Sequence, residues 1–556
     1  MSNIFIAFNI FMIEKRRSHQ TNLMFTEEIY QALVPKDHFL YLVNEKVDFS
    51  FANKLCQHLF SDQKGRPVVN FPERMLRAEF VQTYYNYSDR DMEQAANFNI
   101  VVKWFLGYNL VDDAFDYSAL SHFRALTGPS LHKRMFDMVL DQLVDKGLVK
   151  KDERQFIDAT HNDAGIRPPT TIQLIFRAIV ALVSEVRKAS EPMFKTISQK
   201  VKLDNILMKT SKGEFKEPFE HNLKEHEKRK KLVELVLLAE KLIVAVDDNL
   251  KHAKTGIDTD ERNKIEALVD LLERILSENI VEETSLPEEE RKFSKKKPDP
   301  DSLVSLVDKD CRHGAKTNKQ RFTGYKTTFT ATSKGIITGV HVAPGNQHDT
   351  DALVPMIDEM KRSHGLKPKK IGGDKAYGGG SNRNKMARRK IQLVSPMKKQ
   401  YNPHGADLFI NDVFVVDANR NSVLCPNGER NYRSCHDRHN KNTIYEFSPI
   451  VCGRCPLKKK CTNADHRKVC ISDFETDFQK ATAYNRTDDF KNDMRHRTVM
   501  ERINSEVKGQ HGLRRAKYWG LAKMKIQVYI AAIVVNVKRL VNWSMREDDY
   551  PLGMGG

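Results

Sequence analysis

The chain has almost no cysteine outside one stretch, fewer acids than bases, and no long apolar run. Of its 8 Cys, six fall between Cys425 and Cys470. A secreted domain stapled by disulfides spreads its half-cystines through the fold. The clustering therefore excludes that class and points to a reducing compartment with a local metal site. The apolar run from Ile4 to Ile13 is too short to cross a bilayer, which takes roughly 20 residues. Lys15, Arg16 and Arg17 follow that run instead of preceding it, the wrong polarity for a signal peptide. We read residues 1–23 as a dispensable extension, with Met24 as an alternative start, and expect a cytosolic protein with no membrane partner.

Acid is the minority charge, with 73 Asp plus Glu against 91 Lys plus Arg, a net charge of +18 and a pI near 9.3. An excess of that size favours a polyanionic partner, and nucleic acid is the obvious phosphate polymer. With 40% hydrophobic and 29% charged residues the chain is not of the disordered class. Its 556 residues leave room for several domains.

Residues 24–150 have the pattern of an all-helical N-terminal domain. Ser88 to Asp91 has the form of a capping box. A second capped helix starts near Asp116, with Ala119, Leu120 and Phe123 apolar and Ser118, Ser121, His122 and Arg124 left to face outward. Small polar residues plus an arginine suit a recognition helix in a DNA groove, and they equally suit an ordinary surface helix. The segment ending Gln155-Phe156-Ile157-Asp158 is a strand. Residues 167–300 form a helical insertion, marked by the stripe Ile172, Ile175, Phe176, Ile179, Leu182, Val183 and Val186 and by a second apolar helix from Leu232 to Val246. Lys224 to Lys231 and Pro287 to Pro300 are charged linkers. From about 303 to 400 strands alternate with helices. Residues 324–332 and 336–342 form a hairpin, followed by a helix from Asp349, a short strand ending at Asp374, a helix over 382–390 and a last strand over 391–394. The fold class is α/β (α+β), with a mixed sheet. Residues 401–475 are a Cys-rich, β-rich insertion, and a helical region then runs to about 545.

Three acids stand in settings suited to phosphodiester chemistry. Asp158 and Asp374 end strands, and Glu501 lies on a helix. Carboxylates so placed can converge on two divalent ions about 3.5–4 Å apart, which activate an attacking oxygen and stabilise the leaving one. At 100° per residue Arg497, Glu501 and Lys508 share one helix face within about 40°, so the cations can hold phosphate beside the carboxylate. Asp349 follows His348 at a helix start, which makes it an N-cap residue outside the catalytic set. Lys508, Arg514, Arg515, Lys517, Lys523 and Lys525 fall in a window free of acids and interleave with Tyr518 and Trp519, a composition that suits phosphate contact and base stacking. Cys452-x2-Cys455 has zinc-knuckle spacing, with Cys425 and Cys461 the leading further ligands and Cys435, Cys470 and His466 in reserve. Reduced, unmetallated thiols are the alternative.

The stretches Val34 to Leu40, Trp104 to Gly107, Phe156 to His161, Pro344 to Asp349, Gly373 to Tyr377 and Gly512 to Leu521, together with Arg497-x3-Glu501-x6-Lys508, resemble bacterial insertion-sequence transposases. The closest likeness is to the eleven-eighty-two group, near the IS4 and IS5-like assemblage. The resemblance implies a ribonuclease-H-like core assembled from residues 151–166, 301–400 and 476–545, with 546–556 as a tail. It implies Asp158, Asp374 and Glu501 as the metal-binding DDE triad, with two Mg²⁺ or Mn²⁺ ions as cofactor. It also implies cleavage and strand transfer at terminal inverted repeats, double-stranded DNA as partner and substrate, a homodimer on DNA, and a place at the bacterial nucleoid. A catalytically inactive DNA-binding derivative and a metal-dependent nuclease of the same fold are the alternatives. One departure stands out: the related signature carries Tyr three residues before the arginine, where this chain has Met494.

Overall fold

The computed structural model describes residues 26–60, 70–203, 215–217, 224–252, 257–282, 293–297, 299–316, 320–398, 402, 405, 407–417 and 422–549. The extension read into residues 1–23, Met24, half of the Pro287 to Pro300 linker and the tail past residue 549 lie outside them.

The N-terminal region is helical, as its periodicity dictates. It comprises α1 (Thr26–Leu33), α2 (Phe39–Lys46), α3 (Phe51–Cys56), α4 (Pro72–Tyr84), α5 (Asp89–Phe98), α6 (Ile100–Phe105) and α7 (Ser118–Asp145). The capping box at the start of α5 is formed, with Ser88 and Asp91 satisfying each other's backbone N–H groups. Helix α7 bends at Gly128, whose φ of 61° precedes Pro129. The proline ring disfavours a helical residue before it, and glycine alone takes the positive φ cheaply.

Strand β1 (Gln155–Asp163) follows, then the insertion: α8 (Thr171–Ala189), α9 (Glu191–Val201), α10 (Glu225–His252), α11 (Thr259–Asn279), and a small pair of strands, β2 (Ile280–Glu282) and β3 (Phe293–Lys295). These elements bury their own cluster, including Ile175, Leu182, Leu235, Leu242 and Leu272. The charged stretch read as a linker up to Lys231 is helical from Glu225 onward. The apolar period that begins at Leu232 propagates backward, leaving the charges mostly on the solvent side of α10.

The sheet is completed by β4 (Arg312–Ala315), β5 (Arg321–Thr332), β6 (Ile337–Pro344), β7 (Lys370–Gly372) and β8 (Gln392–Val394), with α12 (Leu353–His364) and α13 (Gly380–Arg388) between the later strands. The strand order is β4-β5-β1-β7-β8, with β6 also pairing β5. Strand β1 is antiparallel to β5 and parallel to β7, and β7 is parallel to β8. Gly372 is dictated by this packing, since a Cβ there would stand 2.6 Å from the Phe156 ring on β1.

The Cys-rich region is built largely of short strands. It holds β9 (Val415–Asp417), β10 (Ser422–Leu424), β11 (Arg433–Asp437), β12 (Asn442–Glu446) and β13 (Lys468–Ser472), with short helices α14 (Pro449–Gly453) and α15 (Lys458–Cys461). The last described elements are α16 (Glu475–Asn485), α17 (Asp488–His496), α18 (Thr498–Gly509) and α19 (Leu521–Asp549). Helix α19 is apolar nearly all round over its middle and is therefore buried, packed between α7 and β6. Its Asn536 is fully buried; the side-chain amide accepts from the Ile337 N–H at 2.7 Å and donates to the Ile337 carbonyl at 2.8 Å, completing the start of β6. The N-terminal helices, the sheet and α19 thus share one core. Among the described residues no helix is long and apolar enough to cross a membrane.

Candidate functional site

Parallel pairing sets the first two acids side by side. Phe156 on β1 lies opposite Gly372 on β7. Two residues further along each strand, past the end of the ladder, come Asp158 and Asp374. The backbone beyond β7 is held by the Gly373 N–H, which donates to Val394 at 2.9 Å, and by the Ser395 hydroxyl, which donates to the Asp374 carbonyl at 2.6 Å. The Asp374 carboxylate accepts from the Ala376 N–H at 2.8 Å, an Asx turn that fixes its direction.

Burial pushes the Asp158 carboxyl up to about 6; Arg497 pulls it down, and the negative charges of Asp374 and Asp349 push it up again. The shift is the electrostatic signature of crowded, half-buried carboxylates; Asp158 does not end its strand as expected but lies within β1, opposite Phe329, because pairing with β5 carries the strand on to Asp163. Tyr377, whose ring is buried beside them, has its phenol pushed far up, first by burial and then by Asp349, Asp158 and Asp374.

Helix α18 lies against β1 through its apolar face, Val499, Met500, Ile503 and Val507. The residues next to that face then look onto Asp158. The Asn504 amide donates to Asp158 Oδ2 at 2.9 Å. Glu501, one turn earlier, is on the same helix, but its side chain is 62% exposed and accepts from the Arg497 guanidinium at 2.8 Å. The structure therefore brings Asp158 and Asp374 together and leaves Glu501 paired with Arg497 at the rim. Among the described residues, no three His, Cys, Asp or Glu side chains stand as a ready metal-holding group. The pair is an i,i+4 contact along one helix face.

Further along β1 the surroundings turn basic. Lys508 is lowered first by burial and then by Lys316 and Arg514, partly offset by Asp163. His161 is likewise lowered by burial, then by Lys508. Arg514 and Arg515 are exposed, and their backbone is tied to the strand: the Asp163 N–H donates to the Arg514 carbonyl at 3.0 Å, and the Ala516 N–H donates to Asp163 at 2.8 Å. Cations crowded without enough acid form a stripe suited to a phosphate backbone.

Other expectations are corrected. Arg124 does not face outward. It is buried, donating to Glu79 at 3.0 Å and to Asp89 at 2.8 Å, and its guanidinium lies over the Tyr518 ring at 4.8 Å. Tyr518 is consequently occupied by Arg124 and Asp89, while Lys517, though exposed, donates to the Tyr87 carbonyl at 3.3 Å. Trp519, next to them, is the exposed aromatic. Asp349 is not an N-cap: His348 occupies that position, and the Asp349 carboxylate pairs with Lys326 at 2.8 Å while bearing on Asp158. Sequence reasoning also missed Asn504 and Lys316. For Asn504 a signal existed, because it lies one turn past Glu501 and beside Ile503 on the packed side of the helix.

Two stretches match known families. Residues 28–126 match Transposase domain (DUF772), and residues 424–541 match Transposase DDE domain. No curated protein and no solved structure matches the chain. The two family matches, at opposite ends of the chain, support a DDE-type transposase, with DNA as the implied partner and a polynucleotidyl transferase or nuclease as the implied enzyme class.

Proposed function

We propose that this chain is a bacterial insertion-sequence transposase that binds the element's terminal inverted repeats, cleaves DNA strands at its ends and transfers them to target DNA. The observation that carries the reading is the placement of Asp158 on β1 beside Asp374, which lies just past the neighbouring parallel strand β7, with Asn504 of the Glu501 helix bonded to Asp158 and the charge of Arg497 acting on it. The strand order, with three antiparallel strands followed by two parallel to the first, supports a ribonuclease-H-like core.

The donor set fits Mg²⁺ or Mn²⁺. Oxygen-rich sites suit hard cations, and two crowded carboxylates gain from a cation between them. Asp158 and Asp374 would hold it, with Glu501 joining by giving up Arg497. When bound, such ions supply Lewis acidity at the attacking and leaving oxygens of an in-line displacement.

The remaining chemistry belongs to the chain's own groups. Asn504 fixes the rotamer of Asp158 through its 2.9 Å hydrogen bond. Arg497, once released by Glu501, is free to hold a phosphate oxygen, and a guanidinium does this with two parallel hydrogen bonds. Lys508, Lys316, Arg514 and Arg515 track the flanking backbone away from the acids. Two ends must be cut and joined in one event, so the working form is a homodimer on DNA.

The test is Mg²⁺-dependent nicking of a linear duplex carrying the element's own end. The wild-type chain nicks at the terminus, and Asp158→Asn and Glu501→Gln variants that bind the duplex normally do not. Nicking by D158N at the wild-type rate would remove Asp158 from the chemistry. Cleavage indifferent to the repeat would make the chain a nuclease instead.

A further inference from the structure

Between Asp374 and Glu501 in the chain, the Cys-rich region encloses a different kind of site. Its hydrophobic core is small, built on Phe414, Val423, Tyr445, Phe447, Val469 and Ile471. A core of that size is too little to hold a unit of several short strands and helices without a staple. Beside it lies a cavity of about 30 Å³, lined by Cys425, Cys452, Cys455 and Cys461. That is space for one water-sized guest.

The thiols arrive from two separate directions. Cys425 follows β10 and opens a tight turn: the Gly428 N–H donates to the Cys425 carbonyl at 2.9 Å, with Gly428 at a φ of 82°. Cys452 sits at the end of α14, and the Cys455 N–H donates back to the Cys452 carbonyl at 3.3 Å; Cys461 closes α15. All four are free thiols, and they surround the cavity without having closed onto one centre. They are near enough to feel one another. Burial pushes the Cys461 thiol up, Arg467 pulls it down, and Cys452, Cys425 and Cys455 push it up again.

Arg467 is the second, independent observation. It lines the same cavity, is 7% exposed, and its Nε has no hydrogen-bond partner. The rest of its guanidinium donates to the carbonyls of Cys461 and Phe409, each at 3.2 Å, and to the Asn411 side chain. Among the described residues no carboxylate pairs with it. A buried cation without an anion is costly. Four thiolates around one divalent ion carry a net charge of minus two, which is the anion this arginine lacks.

We propose that Cys425, Cys452, Cys455 and Cys461 bind one structural Zn²⁺ as a tetrathiolate, with Arg467 as the buried counter-charge. The ion ties the turn after β10 to α14 and α15 and supplies the cohesion the small core cannot. Cys435 and Cys470 take no part. They lie on β11 and β13, either side of Ile444 on β12, and both are exposed.

Metal content of the full-length chain, purified without added metal and dialysed, tests this. The expected value is about one zinc per chain, and Co²⁺ replacing it gives the intense visible bands of a tetrahedral thiolate site. The C452S/C455S double variant loses the metal, and C435S/C470S keeps it. Wild type that binds neither Zn²⁺ nor Co²⁺, or C452S/C455S that binds either as tightly as wild type, would overturn the proposal. So would loss of metal from C435S/C470S with its fold intact. If C452S/C455S fails to fold, the Co²⁺ spectrum of wild type still decides whether a thiolate site exists. None of these readouts depends on DNA cleavage.

Discussion

Arg124 gives its charge to the interior of the N-terminal helices. It meets Glu79, Asp89 and Gln82, and Glu79 in turn accepts from His132 at 2.9 Å. A buried ion pair contributes little net stability while complete, but breaking one side strands the other charge. Arg124→Ala is therefore expected to lower the free energy of unfolding by about 3–5 kcal/mol. Urea titration measures the loss, and DNA affinity per folded molecule should be unchanged. An affinity loss without a stability loss would return Arg124 to the surface. In sequence the residue looks exposed because Ser121 and His122, its near neighbours, do face solvent. Yet Arg124 lies four residues after Leu120, within about 40° of the buried stripe. That spacing is legible. Its carboxylate partners, 35 and 45 residues away in sequence, are not.

At the scale of elements, local pattern and tertiary docking part company. The strands of the sheet and the capping box at Ser88 follow from alternation and cap chemistry, which act over a few residues, so they are readable. The pairing of β1 with β7 brings Asp158 to Asp374, and the turn of α18 offers Asn504 to Asp158 while Glu501 stays with Arg497. How a helix rotates on a sheet is set by which of its faces packs, and no periodicity fixes that to within one residue.

Helices α7 and α12 show docking with a measurable pH signature. His364, at the end of α12, lies 2.6 Å from Asp141 and 3.3 Å from Asp137 of α7. Burial alone would depress its pKa, but the hydrogen bonds to Asp137 and Asp141 raise it to about 9 from the ordinary 6.5. The folded state binds this proton more tightly than the unfolded chain. The stabilisation is thus complete below 6.5 and is lost as pH rises through about 9. Because Asp141 is partly open to water, the loss should amount to roughly 1–3 kcal/mol. Unfolding midpoints across that window should fall for wild type and stay comparatively flat for His364→Gln. Equal slopes would mean the clamp is not charged in the native state.

Across the whole molecule, a net charge of +18 does not say where DNA lies, because much of the base is spent internally. Lys538 and Arg539 of α19 surround the nearly buried Glu506, and Arg124 is enclosed by acids. Around the far end of β1, beyond Asp158, Lys508, Lys316, Arg514 and Arg515 form a basic stripe. In the last two, position and charge are separable: their backbone is bonded to the end of β1, so truncating the side chains leaves the chain path in place. Under the proposed function, each phosphate that the protein no longer neutralises lowers the slope of log affinity against log salt by about 0.9. Arg514→Ala with Arg515→Ala should then flatten that slope by roughly 2 and weaken binding to all duplex sequences alike. Exposed side chains far from the core change stability within about 0.5 kcal/mol, so the unfolding midpoint should hold. An unchanged slope at unchanged stability would place the DNA elsewhere, and Asp158 and Asp374 would then lack the approach that the proposed cleavage requires.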